Sequence, residues 1–545
     1  MAKPILPFHS DTFLSNIVTG VTAPASVNVH KLHSIGSGIV AKMKENPVFT
    51  FKAKRSDRVK TLGSAAAVTS TVDADIEIDP ALLFQRMMTV AASSDMNLAD
   101  IMHYELCAFP PALFESRSML RKADKSQLAH AILKKSDELR TEVVEIQSTD
   151  QYVIDGGSLL QRIPWHKHDT YENIANSYAT FTLQHYGKAI IVFDGYDDSP
   201  SIKDMTHRRR RNSQMSTAVK FTKDMKFVGQ KDKFLSNDKN KQLIILLIAE
   251  KLRKHGCTVQ HAVGDADVDI VRAAILSSEH SSTTIIGEDT DLLILLLYHA
   301  KNYGFKLYYR SDIKRGSSMN PVYDILGIQA LLGTDICKYL LFLHAYTGCD
   351  TTYRFFSVGK AKAFGHLLKE KELQVVANIF CSEDSQHVDI ENAGKKALLV
   401  LYGCRKMDSI NTLRHRMLLE KVVAAKSFVT PERLPPTESA TKYHSFRTYY
   451  QIRAWQSTEE NLNPKEWGWY EKDNSFWPTI CDLPPAPDLL LNMIRCSCTT
   501  HCATMRCACK KNVMPCSAAC GECQVSGCDN CVTNEYEDSS SDADD

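Results

Sequence analysis

Three apolar, β-branched runs in this chain each stop at an aspartate: Tyr152-Val153-Ile154-Asp155, Ala189-Ile190-Ile191-Val192-Phe193-Asp194, and Thr284-Ile285-Ile286-Gly287-Glu288-Asp289-Thr290-Asp291. Such runs are strand-like, and the stretches between them carry apolar residues at helical spacing. This alternation predicts an α/β domain with a mainly parallel sheet over residues 150–425. In an open parallel sheet, ligands bind in the crevice beyond the carboxyl ends of the strands, so aspartates that end strands project into one shared pocket. A single strand-end aspartate more often caps a helix or makes a turn. Three in succession point to a carboxylate cluster. Like charges gathered that closely repel unless cations neutralise them, and hard oxygen ligands suit Mg²⁺ or Mn²⁺. Two such ions about 4 Å apart can activate a water on one side of a phosphodiester and stabilise the leaving oxygen on the other.

Further carboxylates follow the same order. Asp265 and Asp267, in Gly264-Asp265-Ala266-Asp267, open a helix whose apolar face is Ile270, Val271, Ala274 and Ile275, and Asp350 follows the apolar run Tyr339–Ala345 in Thr347-Gly348-Cys349-Asp350. Over residues 151–368 this order and spacing resemble the flap-endonuclease (FEN/XPG) nucleases, a branch of the PIN-like superfamily. The resemblance implies a PIN/FEN-like, mainly parallel twisted sheet flanked by helices. It also implies a metal-dependent, structure-selective endonuclease acting on DNA through two Mg²⁺ or Mn²⁺ ions. Asp155 in Ile-Asp-Gly-Gly matches the family's first ligand and Asp194 in Phe-Asp-Gly its second. Asp265 and Asp267 stand where the family usually has two glutamates. Asp289 and Asp291 match its Asp-x-Asp, and Asp350 in Gly-Cys-Asp its last acidic ligand. Two other classes share these residues: a catalytically inactive nucleic-acid-binding protein derived from a nuclease or a mobile element, and a PIN-type RNase.

The net charge is only +1, so nucleic-acid binding has to come from local patches. The family carries a Lys and an Arg on the helix after Phe-Asp-Gly that reach the scissile phosphate, and by position these are Lys203 and Arg208, with Arg209, Arg210 and Arg211 extending the patch. The same arginine run also reads as a solvated basic face or a nuclear-import signal. Residues 212–240, polar and rich in lysine, stand where flap nucleases carry a helical arch over the single strand, and are short for one. Phe356-Ser357-Val358-Gly359-Lys360-Ala361-Lys362-Ala363 resembles the family's helix-two-turn-helix, which implies that Gly359, Lys360 and Lys362 meet a duplex phosphate. In flap endonucleases the first ligand lies close to the chain start. Here about 150 residues precede Asp155, so a 5′-flap preference does not follow.

Ten of the 17 cysteines lie between Cys496 and Cys531, spaced Cys496-x-Cys498-x3-Cys502-x4-Cys507-x-Cys509-x6-Cys516-x3-Cys520-x2-Cys523-x4-Cys528-x2-Cys531. In a reducing compartment this density fits thiolates shared among two to three tetrahedral Zn²⁺ ions that replace a hydrophobic core. The two Cys-x-Cys pairs resemble the CXC domain of tesmin/TSO1-type proteins, a three-zinc module that binds DNA. Arg495, Arg506, Lys510 and Lys511 would meet phosphates, although Arg506 replaces the family's base-reading tyrosine. The whole reads as a nuclear protein with nucleic acid as partner, DNA more than RNA.

The remainder is less informative. Residues 1–75 read as an irregular arm and 76–145 as a helical region, with helical spacing in Ala81–Val90 and Ser126–Leu133. Residues 426–490, with eight prolines and four tryptophans, read as an extended connection, 491–533 as the small zinc module, and the acidic, Ser-rich 534–545 as a disordered tail. The longest apolar runs, such as Leu292–Leu297, fall far short of the roughly 20 residues of a membrane helix, so no membrane partner is expected.

Overall fold

The computed structural model describes residues 32–44, 84–85, 87–88, 91, 97–107, 109–116, 119–139, 149–195, 202–203, 217–312, 322–404, 409–424, 430–456, 462–487, 490 and short pieces between 496 and 530. Most of the expected arm, the acidic tail, Arg208, Arg209, Arg210, Arg211, Arg495, Cys523 and Cys531 lie outside the described residues. The chain divides into two compact units. Met1–Thr71, Leu139–Ser199 and Thr206–Leu331 form the first, and Val72–Glu138, Pro200–Met205 and Leu332–Asp545 the second.

In the first unit the elements run α1 (Leu32–Lys44), β1 (Gln151–Asp155), α2 (Gly156–Arg162), α3 (Tyr171–Tyr186), β2 (Ile190–Phe193), α4 (Lys231–Leu235), α5 (Asp238–Lys254), β3 (Thr258–His261), α6 (Asp267–Ser278), β4 (Thr283–Ile286), α7 (Thr290–His299), β5 (Leu307–Arg310), β6 (Val322–Asp324) and α8 (Ile325–Leu332). The sheet order is β3-β2-β1-β4-β5-β6, with every pair parallel except β5 with β6. β-Branched residues stiff at χ1 build the centre of the sheet. Ile154 sits in register with Ile191 on one side and Ile286 on the other. From that face Ile154, Ile191, Phe193, Val259 and Ile286 pack into one core with Leu159 of α2, Tyr178 of α3 and Ile244 and Ile248 of α5. The helix α6 packs on β1, β2 and β4 and against α7. Covered on both faces, β4 is buried at all four positions, as a central parallel strand must be.

The chain leaves β1 toward β2 and β3, then returns across β1 to β4 and β5. The strand order therefore reverses between β1 and β4, which makes the crevice at their carboxyl ends the ligand-binding point of such a sheet.

The sheet-bearing unit ends at Leu331, and Leu332–Asp545 group with the second unit. The described part of the arch segment packs down onto the core. Phe227, Phe234 and Leu235 are buried, Val219 and Met225 pack against them, and Phe221 stacks on Tyr171 with ring centroids 3.9 Å apart. These residues follow no single period, so their apolar content is masked in the sequence by the lysines between them.

In the second unit, the expectation of an extended connection over 426–490 is corrected. Glu438–Gln456 is a 19-residue helix whose His444, Ser445, Arg447, Thr448, Ile452 and Trp455 are buried. It packs on the helices His387–Leu401 and Thr334–Tyr346. The approach is close: a Cβ at Gly394 would lie 1.8 Å from Ser445 Oγ, so only glycine fits. The prolines flank this helix, and its many polar residues hide it from a hydrophobicity-based reading. Residues 76–145 contribute the helices Leu98–Ile101 and Ser126–Leu139 and a two-stranded piece, Phe114–Ser116 with Met119–Leu120. Among the described residues no single helix is long and apolar enough to cross a membrane.

Candidate metal centres and active site

Asp155 is the last residue of β1 and the N-cap of α2, its Oδ1 accepting from Gly157 N at 2.8 Å. A Cβ added at Gly157 would lie 3.2 Å from Asp155 Oδ1 and 3.6 Å from Asp194 Oδ2, so both carboxylates flank the same point and a side chain there would fill the space between them. Asp194 follows β2 and accepts from Ala266 N at 3.3 Å. Beyond β4, Asp289 caps α7 by accepting from Asp291 N at 3.1 Å, and each of these two aspartates offers an oxygen within 4.8 Å of the other's. The capping role of a strand-end aspartate is thus real for Asp155 and Asp289, and it ties one oxygen of each carboxylate to the backbone of the following helix.

The charges feel one another across three strands. Burial first, then Asp194 and more weakly Asp289, push the Asp155 carboxyl up to about 6, against the opposing backbone N–H groups of Ser158 and Gly157. Burial, Asp289 and Glu288 likewise raise the Tyr309 hydroxyl well above its ordinary range, while that hydroxyl donates to Asp289 O at 2.9 Å. Burial and the neighbouring charge therefore disfavour the ionised form of Asp155 at the sheet's switch point. A hard-oxygen donor set of this kind fits Mg²⁺ or Mn²⁺.

A cation stands beside these carboxylates that the sequence reading did not single out. Lys241, in the first turn of α5, has its ammonium pulled below its ordinary range by burial, and Asp194 and Asp155 oppose that shift. The signal was present in the sequence: Lys241 shares the i, i+3, i+4, i+7 stripe of Ile244, Ile245 and Ile248, which places it at the end of a buried face. Behind Asp289, Glu288 is held by Arg162 at 3.4 Å, by the Ser311 hydroxyl and by Asp312 N at 3.1 Å. Asp312 in turn accepts from Arg310 at 2.7 Å and from Tyr186 at 2.6 Å. This network braces the turn that carries Asp289 and Asp291.

The other expected residues fall as follows. Asp265 is exposed in the loop before α6, and Asp267 lies in that helix's first turn. Asp350 belongs to the second unit, where Lys125 Nζ lies 3.0 Å from its carboxylate. Lys203 also groups with the second unit. Gly359 is the N-cap of the helix Lys360–Lys369, and Lys362 on that helix is exposed. Lys360 is not a phosphate contact. It is 3% exposed, donating to His344 O at 2.8 Å and Thr347 Oγ1 at 3.0 Å, with His344 Nδ1 at 3.1 Å. Its stripe of Ala363, Phe364 and Leu367 shows why. Lys360→Ala is expected to cost about 2–4 kcal/mol by orphaning those acceptors, against within about 0.5 kcal/mol for Lys362→Ala. Denaturant titration of the two variants measures the difference.

In the second unit eight of the ten clustered cysteines are described. Sγ–Sγ distances are 3.7 Å for Cys496–Cys502, 3.8 Å for Cys496–Cys516, 3.7 Å for Cys507–Cys516 and 3.4 Å for Cys509–Cys520. These are far longer than a disulfide at about 2.05 Å and near the edge, about 3.8 Å, of a tetrahedron with Zn–S bonds of about 2.3 Å. Cys496, Cys502, Cys507 and Cys516 form one four-thiol group, and Cys496, Cys509, Cys516 and Cys520 another. Cys496 and Cys516 belong to both, so the arrangement is compatible with zinc ions sharing thiolates. Asn530 donates from Nδ2 to Cys516 Sγ at 3.4 Å, a supporting contact outside the cysteine pattern. Arg506 is exposed, whereas the Lys510 ammonium donates to Ala503 O, and the Lys511 side chain lies outside the described residues.

A family model described as a domain of unknown function (DUF8702) matches residues 3–105. No curated protein matches the chain. Among solved structures, the chain is similar to the catalytic core of Rad2 in complex with DNA substrate, at 16% identity over 66% of this chain and 91% of that one, with a TM-score of 0.34. A second complex of the Rad2 core with DNA substrate is 14% identical over 61% of this chain and 95% of that one, with a TM-score of 0.29.

Proposed function

We propose that the first unit is a divalent-metal-dependent nuclease that cleaves phosphodiester bonds, with DNA as substrate. The observation that carries this reading is the gathering of carboxylates at the switch point of a parallel sheet, with Asp155 and Asp194 on either side of Gly157 and Asp289 and Asp291 at the start of the helix that follows the neighbouring strand. Asp155, Asp194, Asp289 and Asp291 are the core ligands, and Asp265 and Asp267 complete the first unit's share of the set that the family resemblance implies. Two Mg²⁺ or Mn²⁺ ions held there would supply activation of a water and stabilisation of the leaving oxygen.

The protein's own groups do the rest. The N-caps at Asp155 and Asp289 hold the carboxylates in place, Gly157 leaves the space between Asp155 and Asp194 open, and the ion pairs behind Glu288 hold the Asp289 turn. Lys241 offers a partly desolvated ammonium to a phosphate oxygen on which charge develops. Lys241→Gln is expected to lower the cleavage rate about 10²-fold with a smaller change in substrate affinity, as for other preorganised charges at a reacting oxygen. Single-turnover kinetics separates the two.

The reading is tested by titrating the full chain with Mg²⁺ and Mn²⁺ against labelled flap, duplex, single-stranded DNA and RNA, beside Asp289→Ala/Asp291→Ala. Cleavage lost in the double variant is the expected result. Absence of any cleavage dependent on those residues would leave an inactive nucleic-acid-binding protein, and RNA-only cleavage a PIN-type RNase. The cysteine module is proposed to hold zinc and to tether the chain to DNA through Arg506.

A further inference from the structure

Two arginines distant in sequence, Arg121 and Arg354, are brought together in the second unit. The segment Ala112–Arg121 turns back through its two-stranded piece and lies along the loop that follows Asp350. Arg354 N donates to Arg121 O at 3.2 Å, and Phe356 N donates to Ala112 O at 3.0 Å. Phe114 and Tyr353, both buried, pack together with ring centroids 4.6 Å apart. The loop closes this tightly because Gly348 has a φ of +104°, and a Cβ there would lie 2.8 Å from Arg354 N and 2.9 Å from Ala123 Cβ. On this scaffold Arg121 is half-buried. Its Nη2 donates to Pro111 O at 2.8 Å and to Phe114 O at 3.3 Å, and its guanidinium carbon lies 5.2 Å from the centre of the Phe356 ring. Arg354 is half-buried too, and its side chain makes no hydrogen bond or ion pair with any described residue. The Nε of each is buried without an acceptor. Burial first, and then Arg354, pull the Arg121 guanidinium below its ordinary range. Glu115 and Glu432 oppose that shift, yet among the described residues neither forms an ion pair with Arg121.

We propose that Arg121 and Arg354 form a phosphate site that holds the backbone of a nucleic acid. It goes beyond the nuclease reading of the first unit, since it needs neither a divalent ion nor cleavage. Two like charges brought together and half withdrawn from water disfavour one another, and a guanidinium cannot shed its proton, so relief has to come from an anion. The chain does not supply that anion from its own side chains, although Glu115 and Glu432 are near. A carboxylate is planar and is satisfied by a single fork, whereas a tetrahedral phosphodiester can turn one free oxygen to each of two arginines. Lys122, exposed beside Arg121, adds a third positive charge, which suits the repeated phosphates of a strand better than one small ion. Lys125 is engaged with the Asp350 carboxylate at 3.0 Å and is left out of the site. Arg121 belongs to the long stretch of chain before Asp155, so the site gives part of that stretch a role in holding nucleic acid.

The test is equilibrium binding of labelled duplex and single-stranded DNA to the full chain, followed by fluorescence anisotropy across a chloride series with no divalent ion added. The proteins are wild type, Arg354→Gln, Arg121→Gln and Lys371→Gln. Lys371 is an exposed cation of the same unit and controls for the loss of one charge. Arg354→Gln is the decisive variant, because it removes no side-chain hydrogen bond from the fold, and its thermal midpoint should match or exceed that of the wild type. Arg121→Gln also loses the contacts to Pro111 O and Phe114 O, so its folding is checked by circular dichroism. The expected result is binding about tenfold weaker in both arginine variants, with the slope of log affinity against log salt reduced by about one. Lys371→Gln should keep the wild-type slope. Wild-type affinity or slope in Arg354→Gln overturns the site, as does an equal loss in Lys371→Gln or a wild type that binds no DNA. Inorganic phosphate, titrated at constant ionic strength, separates the two sources of the anion. If it protects the wild type but not Arg354→Gln from thermal unfolding while DNA binding is the same in both, the pair holds free phosphate and the backbone assignment is overturned. Cleavage dependent on Asp289 and Asp291 is measured separately, so this site and the nuclease reading fail independently.

Discussion

Asp155→Asn is expected to abolish metal-dependent cleavage, by 10³-fold or more, and at the same time to stabilise the metal-free protein by about 2 kcal/mol at pH 7. The two effects share one cause. Burial and the neighbouring Asp194 raise the Asp155 carboxyl from its ordinary 3.8 to about 6, so the charged form is disfavoured in the fold relative to the unfolded chain. That penalty is small below pH 4, grows between about 4 and 6, and is nearly full at pH 7. Asparagine removes the charge while keeping the oxygen that accepts from Gly157 N, so the N-cap of α2 survives. Denaturant unfolding at pH 7 and pH 4 should therefore show a gain only at the higher pH. A structural carboxylate would give the opposite sign, because its removal destabilises. A gain in stability joined to a loss of activity is the mark of a site strained for function.

In the cysteine module, Cys516→Ser is expected to release most of the bound zinc and unfold the module, whereas Cys498→Ser should leave most of it bound. Cys516 is buried and belongs to both four-thiol groups, while Cys498 is half-buried and belongs to neither. Structural zinc contributes on the order of 10 kcal/mol to folding of such small modules, so loss of a shared ligand is not absorbed locally. Metal analysis after dialysis, with near-native mass spectrometry of the full chain, measures the stoichiometry of each variant. Equal zinc content in Cys516→Ser and wild type would remove the shared-thiolate arrangement.

The parallel sheet and its carboxylate crevice were legible in the sequence because both are written in short, local patterns: β-branched runs of four to six residues, each closed by an aspartate. The cysteine groups were legible for the same reason. What could not be read depended on packing between distant segments. Glu438–Gln456 is polar by composition, and it is buried only because His444, Thr448 and Arg447 find partners such as Tyr346 O, His444 O and Gly468 O on its own and neighbouring elements. Lys241 and Lys360 look alike as surface lysines, and the apolar stripe each one terminates is visible only when the helix is read by its period. Such a stripe leads Lys241 to a charge cluster and Lys360 to a carbonyl and a hydroxyl. The network behind Glu288 joins Arg162 of α2 to Glu288 and to Arg310 and Asp312 at the end of β5, and links between segments so far apart in sequence have no local signature.

A two-metal centre at Asp155 and Asp194 is tested most directly by a count of Mn²⁺ bound to the zinc-loaded full chain, by electron paramagnetic resonance, in wild type and in Asp155→Asn/Asp194→Asn. Two Mn²⁺ ions per chain are expected in the wild type, close enough to couple magnetically, and neither in the double variant. No bound Mn²⁺ at millimolar concentration, or the same number in both proteins, would contradict it.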